Sequence, residues 1–518
     1  MNIGIFLNYD PYVKLYKEGL GRYLSSQIEG YLKSGNKVTI ICPKWLEDSL
    51  SFLEKDTGID MGGAKVVTTP NIPLAWRVYS ALKRKRKVKR DKSLVIKKLI
   101  GKLLNRFVSV SGFTDCIIFL VETLVLFFVG IVAVLPVLMG YLLYKLFGIL
   151  KKIFKRFKAQ ILQFIEFDSL FQTMLDNSAK ELVEIANRQK GIDVWFVPGL
   201  FWPQVNLIKG LVVINVPDIE TEVFSEGFAS KSASSATSRL RDTLENGKYF
   251  ITYSEYIKHA LIEEQQAGQG KYAVTILQDN HDLSKELGFD KNITNLINRS
   301  YSDALRQFAE FNVNCLGKIR YTKFSTVKYI FFASQYRANK NIGTLLRAYD
   351  YMVHECFRKE KLVLTCDAFA VPELRDYIVS RNLIDDVVVC ANVSTQKLAS
   401  LYCCAELVVN PTLYEGGFPF TFGEGMSVGT PSIMGNIPQT IDVIKNYGLE
   451  EILFDPYNYK DMAQKIIWGL DNVDSIYEKE LPLYADLKRR TPEYVALEYV
   501  EAFRRYKEIY ENELREGA

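Results

Sequence analysis

Short apolar runs alternate with stretches of helical period along most of the chain. IGIFLN (residues 3–8) is the first such run, and GRYLSSQIEGYLKSG (21–35) follows it with apolar positions about 3.6 residues apart and a closing glycine. That spacing predicts a helix with one buried face, and glycine commonly stands just past a helix end. KVTIIC (37–42) and AKVVTT (64–69) read as two more strands. Beyond residue 166 the alternation resumes with the helix SAKELVEIANRQKG (178–191) and the strands DVWFVP (193–198), LVVINV (211–216) and YFITYS (249–254). The helix EYIKHALIEEQQAG (255–268) and the strand YAVTILQ (272–278) complete it. GFASKSASSATSR (227–239), small and polar, reads as a mobile connection.

A second series starts near residue 327. Strands are expected at VKYIFFAS (327–334), KLVLTC (361–366), VVVC (387–390), ELVVNP (406–411) and PSIM (431–434). Helices are expected between them, at 341–355, 372–382, 394–404 and 422–429, then at 439–446 and beyond. Short apolar strands separated by helices make a parallel sheet covered on both faces. The fold class expected is therefore α/β, with two Rossmann-like domains whose ligands sit outside the carboxyl ends of the strands and in a cleft between the domains. The expected division is 1–76 with 166–310, a separate insert at 77–165, a second domain at 325–490, and a last amphipathic helix at 491–518 packing back on the first domain.

The insert breaks the alternation. It begins with ALKRKRKVKRDK (81–92), passes through Thr123–Leu143, 21 residues without a charge, and closes with KLFGILKKIFKRFK (145–158). Such a run can enter a bilayer, and the lysine-studded flanks read as helices lying among headgroups. Strands on both sides of the insert belong to one sheet in this reading, so both ends must stay on one side of a membrane. Two full crossings need about 40 apolar residues, more than the run supplies. A helical re-entrant or monotopic hairpin is expected, broken near Gly130 or Pro136, with basic flanks on the cytoplasmic face of a bacterial inner or plasma membrane. Non-helical backbone at that depth needs cover, which a homo-oligomer through the insert would supply.

Charge sharpens this reading. Residues 77–158 hold 19 Lys or Arg against Asp91, Asp115 and Glu122, while the whole chain of 518 residues has a formal net charge of +5. Everything outside the insert is therefore net acidic. So concentrated a charge calls for an anionic partner, and the apolar run selects membrane lipids over nucleic acid. The eight cysteines show no C-x-x-C pair, and they read as reduced core thiols. NIGIFLN at the start has no charged leader, so no secretory signal is expected.

Candidate chemistry is concentrated in the second series. In NPTLYEGGFPFTFGEGMSVGTPSI (410–433), Gly416 and Gly417 lead from a strand end toward a helix expected near Phe422, with Glu424 in its first turn. Glycines let backbone approach a ligand, a helix N-terminus offers N–H groups to phosphate, and a carboxylate there suits the vicinal hydroxyls of a ribose. Complementing the helix dipole would be the plainer use of Glu424. Arg337 and Lys340, in ASQYRANKN (333–341), stand between a strand and a helix, where two cations suit a diphosphate leaving group.

These strings resemble glycosyltransferase family 4. The resemblance rests on the Glu415 to Ile433 string and on Arg337, Lys340 and Asn341, and it spans both series without the insert. It implies a GT-B fold, a nucleotide-sugar donor, retention of configuration, and neither a metal nor another cofactor. It implies that Glu424 binds the nucleotide ribose, that Glu415 contacts the donor sugar, and that Arg337 and Lys340 hold the diphosphate. Gly416, Gly417 and Phe418 line the donor site in this likeness, and Gly19 and Gly21 match the glycine loop facing the phosphates. Eight residues separate Glu415 from Glu424 where the family has seven. The family's His-Asp pair is here Pro217-Asp218, which leaves Asp218 as the candidate there; Tyr253-Ser254-Glu255 reads as structural, and His259, His281 and His354 receive no role.

The function expected is a retaining hexosyltransferase of surface polysaccharide assembly, as for lipopolysaccharide. It would act on a polyprenyl-diphosphate-linked or other glycolipid acceptor at a membrane. Mannose, glucose, galactose and rhamnose stay open as the sugar, with a slight lean to mannose. A non-catalytic scaffold of a glycan-assembly complex is the alternative, and a sugar epimerase on the same fold is a second.

Overall fold

A computed structural model gives the fold. It describes residues 1–15, 19–57, 61–74, 76, 106–110, 112–138, 167–218, 231–263, 270–287 and 327–516. The expected boundaries at 76/77, 165/166, 310 and 325 therefore fall in or beside residues outside the described ones.

Two parallel sheets organise the chain. The first holds seven strands: β1 (Asn2–Phe6), β2 (Lys37–Cys42), β3 (Lys65–Thr68), β4 (Val194–Val197), β5 (Val212–Val216), β6 (Tyr249–Thr252) and β7 (Tyr272–Thr275), in the order β3-β2-β1-β4-β5-β6-β7. The second holds six: β8 (Tyr329–Phe332), β9 (Lys361–Leu364), β10 (Val387–Val389), β11 (Leu407–Asn410), β12 (Ser432–Gly435) and β13 (Leu453–Phe454), in the order β10-β9-β8-β11-β12-β13. Every expected strand is present, and its ends fall within two residues of the expected ones except at β7, which stops at Thr275, three residues before the end of YAVTILQ. Only β13 was not foreseen, since two residues carry no period.

Side-chain alternation explains why the second sheet is buried on both faces. Ile330, Phe332, Leu362, Leu364, Val387 and Val389 enter one apolar cluster. Tyr329, Phe331, Val363 and Val388 enter another. Successive residues of a strand point to opposite faces, so a strand apolar throughout feeds two cores.

The helices described are α1 (Gly19–Lys33), α2 (Glu47–Thr57), α3 (Phe113–Leu138), α4 (Phe167–Arg188), α5 (Lys231–Asn246), α6 (Ile342–His354), α7 (Pro372–Ser380), α8 (Thr395–Cys403), α9 (Phe420–Ser427), α10 (Pro438–Ile444), α11 (Tyr459–Asp471), α12 (Val473–Arg489) and α13 (Pro492–Glu516). α5 corrects one expectation. The small polar stretch expected to be a mobile connection is helical from Lys231 on, because the turns that follow it bury Leu240 and Leu244. After β6 the chain forms a single turn at Glu255–Ile257 and a π-helical turn at Lys258–Glu263, and 264–269 lie outside the described residues.

The chain divides into two compact units. One comprises Met1–Ser25, Lys37–Val197 and Phe201–Val212. Its strand pair β1–β4 joins chain segments from either side of the insert, with Ile3 opposite Val194 and Ile5 opposite Phe196. Gly4 leaves room for the Trp195 ring, since a Cβ there would lie 2.3 Å from it. Val108, in the insert, packs with Met174 of α4.

α3 is the described helix of the insert. It runs unbroken through Gly130 and ends at Leu138, with Pro136 in its last turn, so no break falls at Gly130. Its side chains are described as far as Val125. Counting the described residues alone, no helix is long and apolar enough to cross a membrane. Phe113, Ile117, Ile118, Leu120, Val121, Leu124 and Val125 of α3 are exposed. The basic stretches 81–92 and 145–158, and any second arm of a hairpin, lie outside the described residues.

The other unit comprises Ser26–Asn36, Pro198–Leu200 and Val213–Ala518. It contains the second sheet, β6, β7 and nearly all of β5. Within it α13 is tied to strand residues. The Tyr499 hydroxyl donates to Asn215 Oδ1 at 3.2 Å, and Tyr506 donates to the Phe250 carbonyl at 2.7 Å. The Lys248 ammonium and the Tyr249 hydroxyl both reach the Glu513 carboxylate.

Candidate active site

β11 ends at Asn410 and α9 begins at Phe420, so residues 411–419 form the loop that carries the glycine pair. Asparagine side chains attach it to the loop after β8. Asn341 donates to the carbonyls of Pro411 (3.0 Å) and Pro456 (2.7 Å), while Asn339 donates to the carbonyl of Tyr414 (3.2 Å). The Leu413 N–H donates to the Asn339 carbonyl at 2.8 Å. Asn341 has φ 55°, a left-handed conformation that asparagine tolerates better than most residues. Its amide then serves carbonyls of neighbouring loops instead of capping α6.

This attachment brings two candidates together. Lys340 Nζ lies 2.6 Å from Glu415 Oε1, and both side chains are about one-fifth exposed. A partly buried pair of this kind neutralises itself until an anion competes for the ammonium.

The glycines make close approach possible. Neither Gly416 nor Gly417 has positive φ, so room and not backbone freedom requires them. A Cβ on Gly416 would lie 2.1 Å from the Pro217 carbonyl oxygen and 3.1 Å from Asp218 Cβ. One on Gly417 would lie 2.9 Å from Gln278 Oε1, and one on Gly423 would lie 2.1 Å from Asn280 Oδ1. Ser254 Oγ donates to the Gly416 carbonyl at 3.2 Å and accepts from the Ile257 N–H at 3.3 Å. The carboxyl ends of β5, β6 and β7 thus meet the glycine loop inside one compact unit. Asp218 stands beside it, and Ser254 joins the site although its sequence context marked it as structural.

Glu424 sits differently from its expectation. α9 starts at Phe420, so Glu424 is in the second turn and away from the unpaired N–H groups of the first. This removes the dipole as its main use. Its carboxylate, 8% exposed, accepts from the Tyr402 hydroxyl at 2.6 Å on Oε2 and meets His281 Nδ1 at 2.6 Å on Oε1. An ionised carboxylate only accepts, so His281 presents Nδ1–H to it. Burial, then the neighbouring Glu424 charge, holds the Tyr402 hydroxyl well above its usual range. The tyrosine therefore stays a donor at any ordinary pH.

Residues before and after His281 are anchored. The Asn280 N–H donates to the Arg490 carbonyl at 2.9 Å, and the Arg490 guanidinium reaches the carbonyls of Leu277 and Gln278. On the other side, the Leu283 N–H donates to Ser427 Oγ at 3.0 Å. Asp279 is half-buried among these groups, and desolvation raises its carboxyl above the ordinary value. Sequence reasoning missed both His281 and Tyr402. The former follows β7 in an unremarkable NHD string, and the latter lies at the end of a helix whose period it merely continues.

Other candidates fall as follows. Arg337 is exposed at the N-cap of the turn Ala338–Lys340. Phe418 packs edge-on against Phe422, with ring centroids 5.3 Å apart, which fastens the loop to the core. Gly19 opens α1, and a Cβ on Gly21 would lie 1.9 Å from the Leu15 carbonyl oxygen. That glycine is required by a tight turn of its own segment. Both belong to the other compact unit. Among the described residues no group of three or more His, Cys, Asp or Glu could hold a metal ion. A cavity of about 290 Å³ between β7 and α13, lined by Thr275, Glu498, Glu501 and Arg505, holds none of the glycine-loop chemistry. The site is therefore placed at the loop.

Residues 327–472 match the family model described as glycosyl transferases group 1, and they include Lys340, Glu415 and Glu424. A search of curated proteins found no match. Three solved structures are similar over nearly the whole chain. A glycosyltransferase from Rickettsia africae has 14% identity, covers 98% of each chain and has a TM-score of 0.52. Sucrose-phosphate synthase from Thermosynechococcus elongatus gives 14%, 98% of each chain and 0.53. Anabaena HepE in complex with UDP and glucose gives 12%, 97% of this chain, 98% of that chain and 0.56. The likeness establishes an α/β fold with two parallel sheets of the GT-B kind. The group 1 match, joined to that fold, supports a glycosyltransferase.

Proposed function

We propose that this protein is a retaining hexosyltransferase that uses a nucleotide-sugar donor and acts on a lipid-linked or membrane-borne glycan. The observation that carries the proposal is the pair of carboxylates on either side of the two glycines, Glu415 in the loop on Lys340 and Glu424 in α9 on Tyr402 and His281. It lies within the residues matched to glycosyl transferases group 1. A ribose diol needs a fixed acceptor, which Glu424 offers. A departing diphosphate needs a cation already held in place, which Lys340 offers, with Arg337 nearby in sequence. Anabaena HepE, similar in fold, binds UDP and glucose, which favours a nucleotide diphosphate here.

In the proposed reaction the acceptor hydroxyl attacks the anomeric carbon on the face the diphosphate leaves, and the diphosphate takes the hydroxyl proton. Configuration is retained without a protein nucleophile. Glu415 and Asp218 are assigned to the donor or acceptor sugar, and Gly416, Gly417 and Phe418 to the donor pocket. No metal or other cofactor is assigned.

The membrane part is proposed on two observations. α3 exposes seven large apolar side chains on its described part, an area that water leaves uncovered only at a cost. The insert that contains it is strongly basic. We place the protein at the cytoplasmic face of a membrane, held by anionic lipids, in surface polysaccharide synthesis.

The test is a product assay with candidate nucleotide sugars, membrane lipid extract and mass spectrometry of the glycolipid fraction. Extension of a lipid by one hexose, abolished by Glu424→Ala, is expected. Saturable donor binding without any transfer would instead favour a scaffold. For the membrane, fractionation of cells expressing the full chain should place it with membranes until detergent is added; recovery in the supernatant without detergent would end that part.

A further inference from the structure

We infer that His281 is a positioning residue for ribose recognition: it fixes the Glu424 carboxylate in the orientation that accepts nucleotide hydroxyls. The inference rests on the reading of Glu424 as the ribose acceptor and deepens it.

A carboxylate offers about four lone-pair directions. Tyr402 and His281 each occupy one on a different oxygen, at 2.6 Å in both cases, and so fix the plane of the carboxylate. A glutamate side chain free to rotate gives up rotamer entropy when a ligand fixes it, about 0.5–1.5 kcal/mol per side chain. Here that ordering precedes binding. Tyr402 lies wholly inside the fold, whereas the His281 side chain is one-third exposed and so reaches the surface where a ligand arrives. Its backbone is held by Arg490 on one side and Ser427 on the other. The imidazole is thus a rigid donor, set against the carboxylate from a different part of the chain. Asp279 and Arg490 supply the nearby charge, and neither replaces the Nδ1–H.

A merely structural histidine would affect every ligand of the site alike. A positioning residue affects only ligands that have the hydroxyls. The experiment is therefore binding of UDP and GDP, each beside its 2′,3′-dideoxy counterpart, to the full-length protein by titration calorimetry. The variants are Glu424→Ala, His281→Ala and His281→Asn, whose amide stands near the Nδ1 position. Wild type should prefer the ribonucleotide. Glu424→Ala should abolish the preference. His281→Ala should weaken the ribonucleotide roughly threefold to tenfold while leaving the dideoxy ligand unchanged, and His281→Asn should restore most of the loss. If the alanine variant does not fold, His281→Leu fills the space without a donor and gives the same comparison.

Equal weakening of both ligands by His281→Ala, or none, overturns the role of His281 while leaving Glu424 in place. A preference that survives Glu424→Ala, or no binding of either nucleotide to wild type, overturns the reading of the site itself.

Discussion

Glu415 and Glu424 stand on either side of the glycine pair, one in the loop and one in the second turn of α9, and their surroundings differ in kind. Glu415 meets an ammonium on a flexible four-carbon stem, and both partners are partly open to solvent. Glu424 is buried, with a tyrosine and a histidine each fixed by its own segment. A charge held by a flexible partner can be shared or surrendered when a competing anion arrives. A charge held by two rigid donors stays where it is. Under the proposed function, recognition and departure place opposite demands on a site: the carboxylate proposed to read the nucleotide gains from rigidity, and the pair proposed to face the leaving group gains from a partner that can change hands.

The largest expected effect comes from the rigid carboxylate. Glu424→Ala should weaken nucleotide-sugar binding roughly a hundredfold or more, as loss of two charge-assisted hydrogen bonds predicts at about 1.5–3 kcal/mol each. Calorimetric titration measures this, and a loss below about fivefold would make the two carboxylates equivalent. At the flexible pair, Lys340→Ala should lower turnover about tenfold to a hundredfold with a smaller change in donor affinity. Adding Glu415→Ala to it should recover part of the loss, because an unpaired carboxylate no longer faces the diphosphate. Strict additivity in that double-mutant cycle would show that the pair is not coupled in function.

Between the two carboxylates, Gly416→Ala places a Cβ against the Pro217 carbonyl. The backbone must shift, at a cost on the order of 1–3 kcal/mol, visible as a lower Tm together with weaker donor binding. Unchanged stability would mean that the loop yields freely.

The smallest effect concerns a carboxyl outside the comparison. Glu480 is fully buried and accepts from the Ser432 N–H at 3.1 and 3.3 Å on its two oxygens. Burial holds its carboxyl well above the ordinary range. The folded chain therefore keeps a proton that the unfolded chain releases. Its contribution to stability is complete below the ordinary glutamate range and declines as pH rises from there toward the folded value. Glu480→Gln should raise Tm near neutral pH by a few degrees, on the order expected for a kilocalorie in a domain of this size. The gain should shrink toward acid. A difference independent of pH would contradict the buried proton.

The sheets were legible because a strand buried on both faces is a short unbroken apolar run, as YIFF (329–332) and LVV (407–409) are. The glycine loop was legible because close backbone approach leaves a chemical trace, the absence of side chains. Glu424 was legible as a candidate but not in its setting. Tyr402 and His281 reach it from positions 22 and 143 residues away along the chain, and no local pattern links them. The sequence sets the start of α9 two residues late because Pro419, whose fixed φ suits a helix entrance, has the look of a loop residue. α5 was missed because its first turns have the composition of a linker and only Leu240 and Leu244 reveal a buried face.

The pairing of β1 with β4 also sets a timetable for synthesis. Val194, the partner of Ile3, follows it out of the ribosome roughly 190 residues later. At about 5–20 residues per second the first strand waits on the order of ten to forty seconds for its neighbour. During that interval the basic, apolar insert is already outside the ribosome. The part proposed to touch the bilayer is thus available before the first sheet can close, so the nascent chain can be tethered while its first domain is still unfinished.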